Sequence, residues 1–375
     1  MAIDYIEVRG ADRELLGIVD TAQSVIWHTV WYGVGDFEVY VKSTEALVSL
    51  LQVGRYVTRS GSDEVGIIEK IEVKTTDEEG AMLTVTGRFV KSILDRRLIY
   101  SLSGTSNTAV LLRGNVEAAV RSLVKNNAIS CTFDSRRNIP MLELGALAGI
   151  TAVIIDESGN AAVKQVSYQN LLEYSDELLE EYELSATVIL DENTKKFQYV
   201  VKQGADRSSE NNRDNVPVVF SRDFDNLSDS KYEYDVKNLK NAALIGGEGE
   251  GVDRFYAVIA PASTGLERRE VFVDASSVNR KYKDESDVEQ EYTDSEYSAM
   301  LKTQGRQKLA TLTASETFEG IILVSEGNKK FNEDFFLGDI VTVQENSINK
   351  YVDVRITEAT EVQDESGYTV DVKYE

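Results

Sequence analysis

The sequence predicts an α+β chain, mostly β, made of two related small antiparallel β-barrels with a helix-containing α/β insertion between them. The first observation behind this is a repeat. Residues 53–88 and 337–374 share one layout: with Gly54 set on Gly338, Val57-Thr58 falls on Val341-Thr342, and further on Val65, Ile67, Glu69, Glu72 and Val73 fall on Val354, Ile356, Glu358, Glu361 and Val362. An acidic turn closing on Gly80 or Gly367 leads into an alternating run, Leu83-Thr84-Val85-Thr86 or Val370-Asp371-Val372-Lys373, and a Phe-Glu pair, Phe37-Glu38 or Phe318-Glu319, lies upstream. The second observation is the period of two in both copies, bounded by Gly and Asp, which marks strands joined by hairpins. The third is a switch to helical spacing between the copies. A meander has exposed edges, and curling the sheet into a barrel removes them, so each copy is expected to close on itself.

Taken in order, residues 3–8 alternate as a strand. The next strand is apolar on both faces, with Val25, Trp27, Thr29 and Trp31 on one side and Ile26, His28, Val30 and Tyr32 on the other. Such a strand is covered on both sides. Residues 37–41 form a strand and 44–51 a short helix before the first copy of the repeat. Asn115 caps a helix on which Val116, Ala119, Val120, Leu123 and Val124 share a face, ending near Asn126-Asn127. A second helix spans 168–182 and buries Leu171, Leu172, Leu178 and Leu179. Strands follow at 185–190 and 197–201, then a polar, mobile loop over 204–215 and strands at 216–220, 231–236 and 242–245. Residues 279–295 are strongly charged and exposed. Thr293 and Glu296 have capping-box spacing, and Tyr297, Met300, Leu301, Leu309 and Leu312 give the following helix an apolar face. The domains read as 1–98 for the first barrel, 99–230 for the insertion, and 231–375 for the second barrel with an inserted helix near 294–312.

Composition bounds the function. A chain of 375 residues is long enough for two or three domains. Its formal charge of −24, from 64 acidic and 40 basic residues, repels nucleic-acid phosphate and anionic membranes, so sequence-specific nucleic-acid binding is not expected. No run approaches the ~20 apolar residues of a membrane helix, so stable membrane insertion is not expected either. The single cysteine, Cys131, rules out a disulfide framework.

No chemistry-bearing constellation emerges. His28 is the only histidine, so the usual zinc ligands do not assemble and it reads as a satisfied structural residue. Glu173, Asp176, Glu177, Glu180 and Glu181 read as a solvated helix face rather than an acid–base pair, which needs two separately tuned sites across a cleft. The run from Gly246 to Gly251 lacks the lysine and Ser/Thr of a phosphate loop and reads as a hairpin tip. No catalytic residue, cofactor or metal ligand is expected. The alternatives kept open are a cell-wall hydrolase component, which a cleft holding a carboxylate of raised pKa would favour, and a carbohydrate-binding or adhesion module, which would need an exposed aromatic platform.

Over nearly its whole length the sequence resembles the tail-hub proteins of long-tailed phages, a family that also supplies the N-terminal part of tail-associated lysins and is related in fold to baseplate hubs. The segments that carry the resemblance are, in order, DFEVYV, GIIEKIEV, LTVTGRFVKSILDRRLI, SYQNLLEYSDELL, VVFSRDFDNLSDSKYEYDVKNLKNAALIGGEGEG and EYSAMLKTQGRQKLA. The resemblance implies a homotrimer in which each subunit gives two barrels, forming a pseudo-sixfold ring at the virion tail tip that closes the tail tube and passes DNA. It implies as partners a distal tail or tube protein, the tape-measure protein, and a fibre, spike or lysin. The chain runs to Glu375 just past the second copy, so no hydrolase domain of a lysin is expected to follow. A ring needs a heterologous interface; the barrel edges and the doubly apolar strand, with Val25, Trp27, Val30 and Trp31, are the candidates. The acidic surplus would then face the channel.

Overall fold

The structure, a computed structural model, describes residues 3–78, 80–103, 106–108, 110–156, 160–211, 214–260, 262–283, 289–322 and 329–374. Glu79 of the first acidic turn and residues 284–288 of the charged stretch lie outside the described residues. The chain forms two compact units, Met1–Tyr232 with Phe318–Glu375, and Glu233–Thr317.

In the larger unit the chain begins with β1 (Ile6–Arg9), β2 (Leu15–Val19), β3 (Ala22–Val30) and β4 (Asp36–Lys42). Thr44 then caps α1 (Glu45–Leu50), its hydroxyl accepting the Leu47 N–H at 3.2 Å. The first copy of the repeat supplies β5 (Tyr56–Arg59), β6 (Gly66–Ile67), β7 (Lys70–Thr76) and β8 (Gly80–Arg88). After the insertion come β9 (Val219–Ser221), β10 (Leu227–Asp235), β11 (Ser315–Ile322), β12 (Ile340–Glu345), β13 (Lys350–Asp364) and β14 (Gly367–Tyr374).

The repeat is real, with its register moved by one residue. Gly54 and Gly338 sit at φ +85° and +90°, a backbone that glycine adopts without strain. The Gly54 N–H donates to the Ile68 carbonyl at 2.8 Å and the Ile68 N–H to that of Arg55 at 2.9 Å; Gly338, Ile356 and Asp339 make the same two bonds, both at 2.9 Å. Ile68, not Ile67, therefore matches Ile356. From there every pairing agrees: Lys70 faces Thr86 as Glu358 faces Lys373, and Val73 faces Leu83 as Glu361 faces Val370. The Phe-Glu pairs match as well, Phe37 facing Gly87 and Phe318 facing Tyr374. Matching letters had set glutamate on glutamate, whereas a slip of one residue moves every side chain to the other face. The true counterpart of buried Glu361 is thus Val73.

The copies do not close separately. Their strands merge into one sheet in the order β10-β11-β14-β13-β3-β4-β8-β7, and β13 pairs with β3 across the join between copies. No sheet closes into a barrel among the described residues. The expectation that each meander curls on itself fails because each copy covers one edge of the other, leaving β7 and β10 as the two ends. A smaller sheet, β2-β1-β5-β6, packs on the first copy, and β9 pairs with β12 in the second. Trp27, Phe37, Val39, Val85 and Phe89 fill the core of the first copy, and Phe220, Phe318, Phe335, Val343 and Val372 that of the second.

The insertion contributes α2 (Val116–Val124), with Asn115 accepting the Ala118 N–H at 2.9 Å, and α3 (Leu171–Glu180), capped by Asn170. Both pack against the hairpin Leu184–Asp191 with Lys196–Gln203. On α3, Glu173, Glu177 and Glu180 are exposed as expected. Asp176 is not: it turns inward to Lys91 at 2.6 Å, and burial pushes its carboxyl up against the pull of that ammonium.

The smaller unit is a sheet of Tyr256–Ile259, Ala242–Gly246 and Glu270–Asp274. One face is covered by α4 (Asp294–Ala310), which buries Tyr297 and Leu301. The Thr293–Glu296 capping box forms in both directions. Residues 246–251 start the hairpin connection, as the sequence indicates.

Candidate assembly interface

The seam between β3 and β13 shows how two copies of this repeat bind edge to edge. Glu361 lies opposite Trp27, and Thr360 opposite His28. Beneath the seam Glu361 forms an ion pair with Arg59 of β5, both side chains being almost fully buried, and accepts the Tyr368 hydroxyl at 2.5 Å. The Arg59 guanidinium also lies over the Trp27 ring at 5.4 Å, and the indole N–H donates to Ser62 at 3.0 Å. Burial pushes the Glu361 carboxyl up, with Arg59 opposing, and pushes the Tyr368 phenol well up. On the other face His28 is satisfied at both ring nitrogens, 3.3 Å from Asp36 and 3.3 Å from Glu358, which also holds Lys373 at 2.8 Å.

The candidate residues of β3 lie inside this arrangement. Val25 and Trp27 are in the core of the first copy, Trp31 is buried past the strand's end with its ring against Gly338, and Val30 is half-buried on the opposite face. The edges that end the sheet are elsewhere. On β7, Val73 is 51% exposed and Lys70, Glu72 and Lys74 are exposed, with Lys70 paired to Glu72 at 2.6 Å. The sheet face turned away from the cores is mixed in sign: Asp36, Glu38, Glu72, Glu358 and Asp371 stand among Lys42, Lys70, Lys74, Arg88 and Lys373.

One cavity holds a carboxylate of raised pKa. About 400 Å³ in volume, it is lined by Trp31, Glu64, Lys202, Arg207, Phe336 and Asp339 among others. Glu64 accepts the Thr187 hydroxyl at 2.6 Å, and burial pushes its carboxyl up. Asp339 is occupied by Arg207 at 2.7 Å and by the N–H groups of Ala205 and Phe336 at 2.9 Å each. Sequence reasoning missed Glu64 because nothing local marks a carboxylate that a distant strand buries. Among the described residues no group of three or more His, Cys, Asp or Glu is placed to hold a metal ion, and no helix is long and apolar enough to cross a membrane.

A family model described as Siphovirus ReqiPepy6 Gp37-like protein matches residues 5–373. No curated protein matches the chain. Among solved structures, the tail protein from Neisseria meningitidis MC58 aligns at a TM-score of 0.59 and 14% identity, over 99% of this chain and 95% of that one. The 43 kDa tail protein of prophage MuSo2 from Shewanella oneidensis aligns at 0.58 and 12% identity, over 99% and 98%. The chain shares its fold with both.

Proposed function

Because the chain belongs to the siphovirus Gp37-like family, we propose that it is a structural, non-catalytic tail hub at the virion tail tip, a homotrimeric ring that joins the end of the tail tube to the distal tip and surrounds the DNA passage. The observation that carries this is the duplicated sheet, whose strand order among the described residues ends on β7 at one side and β10 at the other. The built-in β13–β3 seam is a template for joining copies edge to edge, so β7 of one subunit meets β10 of the next. Three such sheets close as one barrel around the channel, and the barrel arises between chains rather than within each. At the new seams Val73 takes the place that Glu361 has in the old one. Val25, Trp27, Val30 and Trp31 serve assembly by fixing the strand that the template seam uses. On this reading the division into 1–98, 99–230 and 231–375 sets two ring-building ends around an insertion, and the last of them carries the compact unit Glu233–Thr317 as an insertion of its own. The neighbours are a distal tail or tube protein above, the tape-measure protein in the lumen, and a fibre, spike or lysin below.

Light scattering after size exclusion tests the ring. A trimeric mass that falls to a monomer in Val73→Arg, with unchanged thermal unfolding of the monomer, supports it; a monomer at every concentration of the unaltered chain counts against it. A second reading, a cell-wall hydrolase component, rests on Glu64 in its cavity. Lysis of cell-wall fragments that Glu64→Gln abolishes would establish it, and absence of lysis would remove it.

A further inference from the structure

Strand β2 is the outer strand of the small sheet, and among the described residues no strand pairs with its other side. Free edges are ordinarily protected by charged residues, proline or a covering element. Even the β7 edge, which the proposed ring pairs, carries Lys70, Glu72 and Lys74 around Val73. The β2 edge does not: its sequence is LLGIV, and Leu15, Leu16 and Ile18 are 49%, 49% and 50% exposed. Its ends are acidic. Asp12 and Glu14 precede it, Asp20 follows it, and all three are exposed. The neighbouring cations are engaged: Lys195 is held by Glu192 at 2.9 Å as well as lying 3.7 Å from Glu14, and the Arg13 guanidinium donates to the Lys195 carbonyl at 2.6 Å.

We propose that β2 is a strand-addition site for an extended segment of a different polypeptide, apolar at alternate positions and carrying lysine or arginine at its ends. Main-chain hydrogen bonds to the open edge give such a complex its affinity, and side chains at alternate positions its selectivity. The carboxylates at both ends of β2 choose the basic flanks. The same edge of a second copy is a poor occupant, since it would set Asp12, Glu14 and Asp20 against the like-charged ends of its twin. The proposal rests on the tail-hub reading only for the source of the segment, another protein of the same tail.

The test uses the full chain and two fluorescent peptides of alternating valine and threonine, one flanked by lysines and one by glutamates. The lysine-flanked peptide is expected to bind at least about tenfold tighter, to weaken as salt screens the rim, and to slow amide hydrogen exchange at residues 15–19. Leu16→Glu with Ile18→Glu abolishes binding. Asp12→Asn with Glu14→Gln and Asp20→Asn, which leaves the apolar edge intact, abolishes the preference for lysine. Binding of neither peptide, equal binding of both, or full binding by the Leu16/Ile18 variant overturns the proposal. Loss of self-association in that variant without peptide binding gives the edge to a second copy and also overturns it. None of these outcomes alters the assignment of the chain to a tail.

Discussion

The two copies of the repeat share their hydrogen-bonding register and differ in the side chains that the register places in equivalent positions. The second copy has Glu361 where the first has Val73, and the first has Arg59 where the second has Val343. The two charged members meet at the one seam that lies within the chain, while Val73 stands half exposed on an open edge. Backbone pairing is what the repeat preserves, and side chains tell each edge which neighbour it takes. An ion pair buried under a seam adds little net stability, because desolvation offsets its attraction, but it penalises any shifted register that would leave one charge buried alone. An apolar residue on an open edge suits an association that forms later.

The sharpest way to break this comparison is to replace each charge by the residue at its counterpart. Glu361→Val strands Arg59 and is expected to lower stability by about 3–5 kcal/mol, and Arg59→Val should cost a similar amount. The double variant, which gives both copies the same apolar character, should recover most of that loss. Urea unfolding of the four proteins measures the coupling. Additive losses in the double variant would show that the two side chains act independently.

Legibility of the fold follows the same division between local and distant pairing. The caps at Asn115 and Thr293 were legible because each acts within three residues, while Thr44 was read as the first residue of the helix that it caps. The repeat was legible through Gly54 and Gly338, but its register was not, since identical glutamates outweighed the alternation that decides which face each occupies. The fusion of the copies through β3 and β13 joins residues some 330 positions apart, and no local pattern announces such a pairing. The strands Tyr256–Ile259 and Glu270–Asp274 were overlooked because they are short and carry exposed Tyr256 and Phe272 on their open face. Asp176 was read with its exposed neighbours because sequence does not show that Lys91 lies beneath it.

A second comparison separates the glycines. Both Gly54 and Gly338 have positive φ, so Gly54→Ala, whose added Cβ meets nothing within 4 Å, should cost only the backbone strain, about 1–2 kcal/mol. At Gly338 the Cβ would lie 2.3 Å from the Trp31 ring. That ring is buried, so overpacking of about 1–3 kcal/mol should be added to the strain. Equal shifts in the unfolding midpoint of the two variants would mean that Trp31 moves aside freely.

The smallest expected effect concerns the open face of the seam. Glu358 and its counterpart Lys70 occupy the same place in the register, but only Glu358 is packed beside a strand of the other copy. Partial burial raises the Glu358 carboxyl, and the hydrogen bonds from Lys373 and His28 more than offset this, leaving it below its ordinary range. A carboxylate held lower in the folded state than in the unfolded one contributes stability at pH values above the unfolded pKa, and that contribution is lost as pH falls through the folded value. With a third of the side chain exposed, solvent screening limits it to a few tenths of a kcal/mol, at most about 1. Glu358→Gln should therefore unfold slightly earlier than the unaltered chain from neutral pH down through mild acid, and at nearly the same urea concentration only in stronger acid, below the folded pKa of Glu358. Lys70→Gln should change the acid limb of the profile less, because Lys70 and its partner Glu72, whose carboxyl it also holds below the ordinary range, are both exposed and water screens the pair.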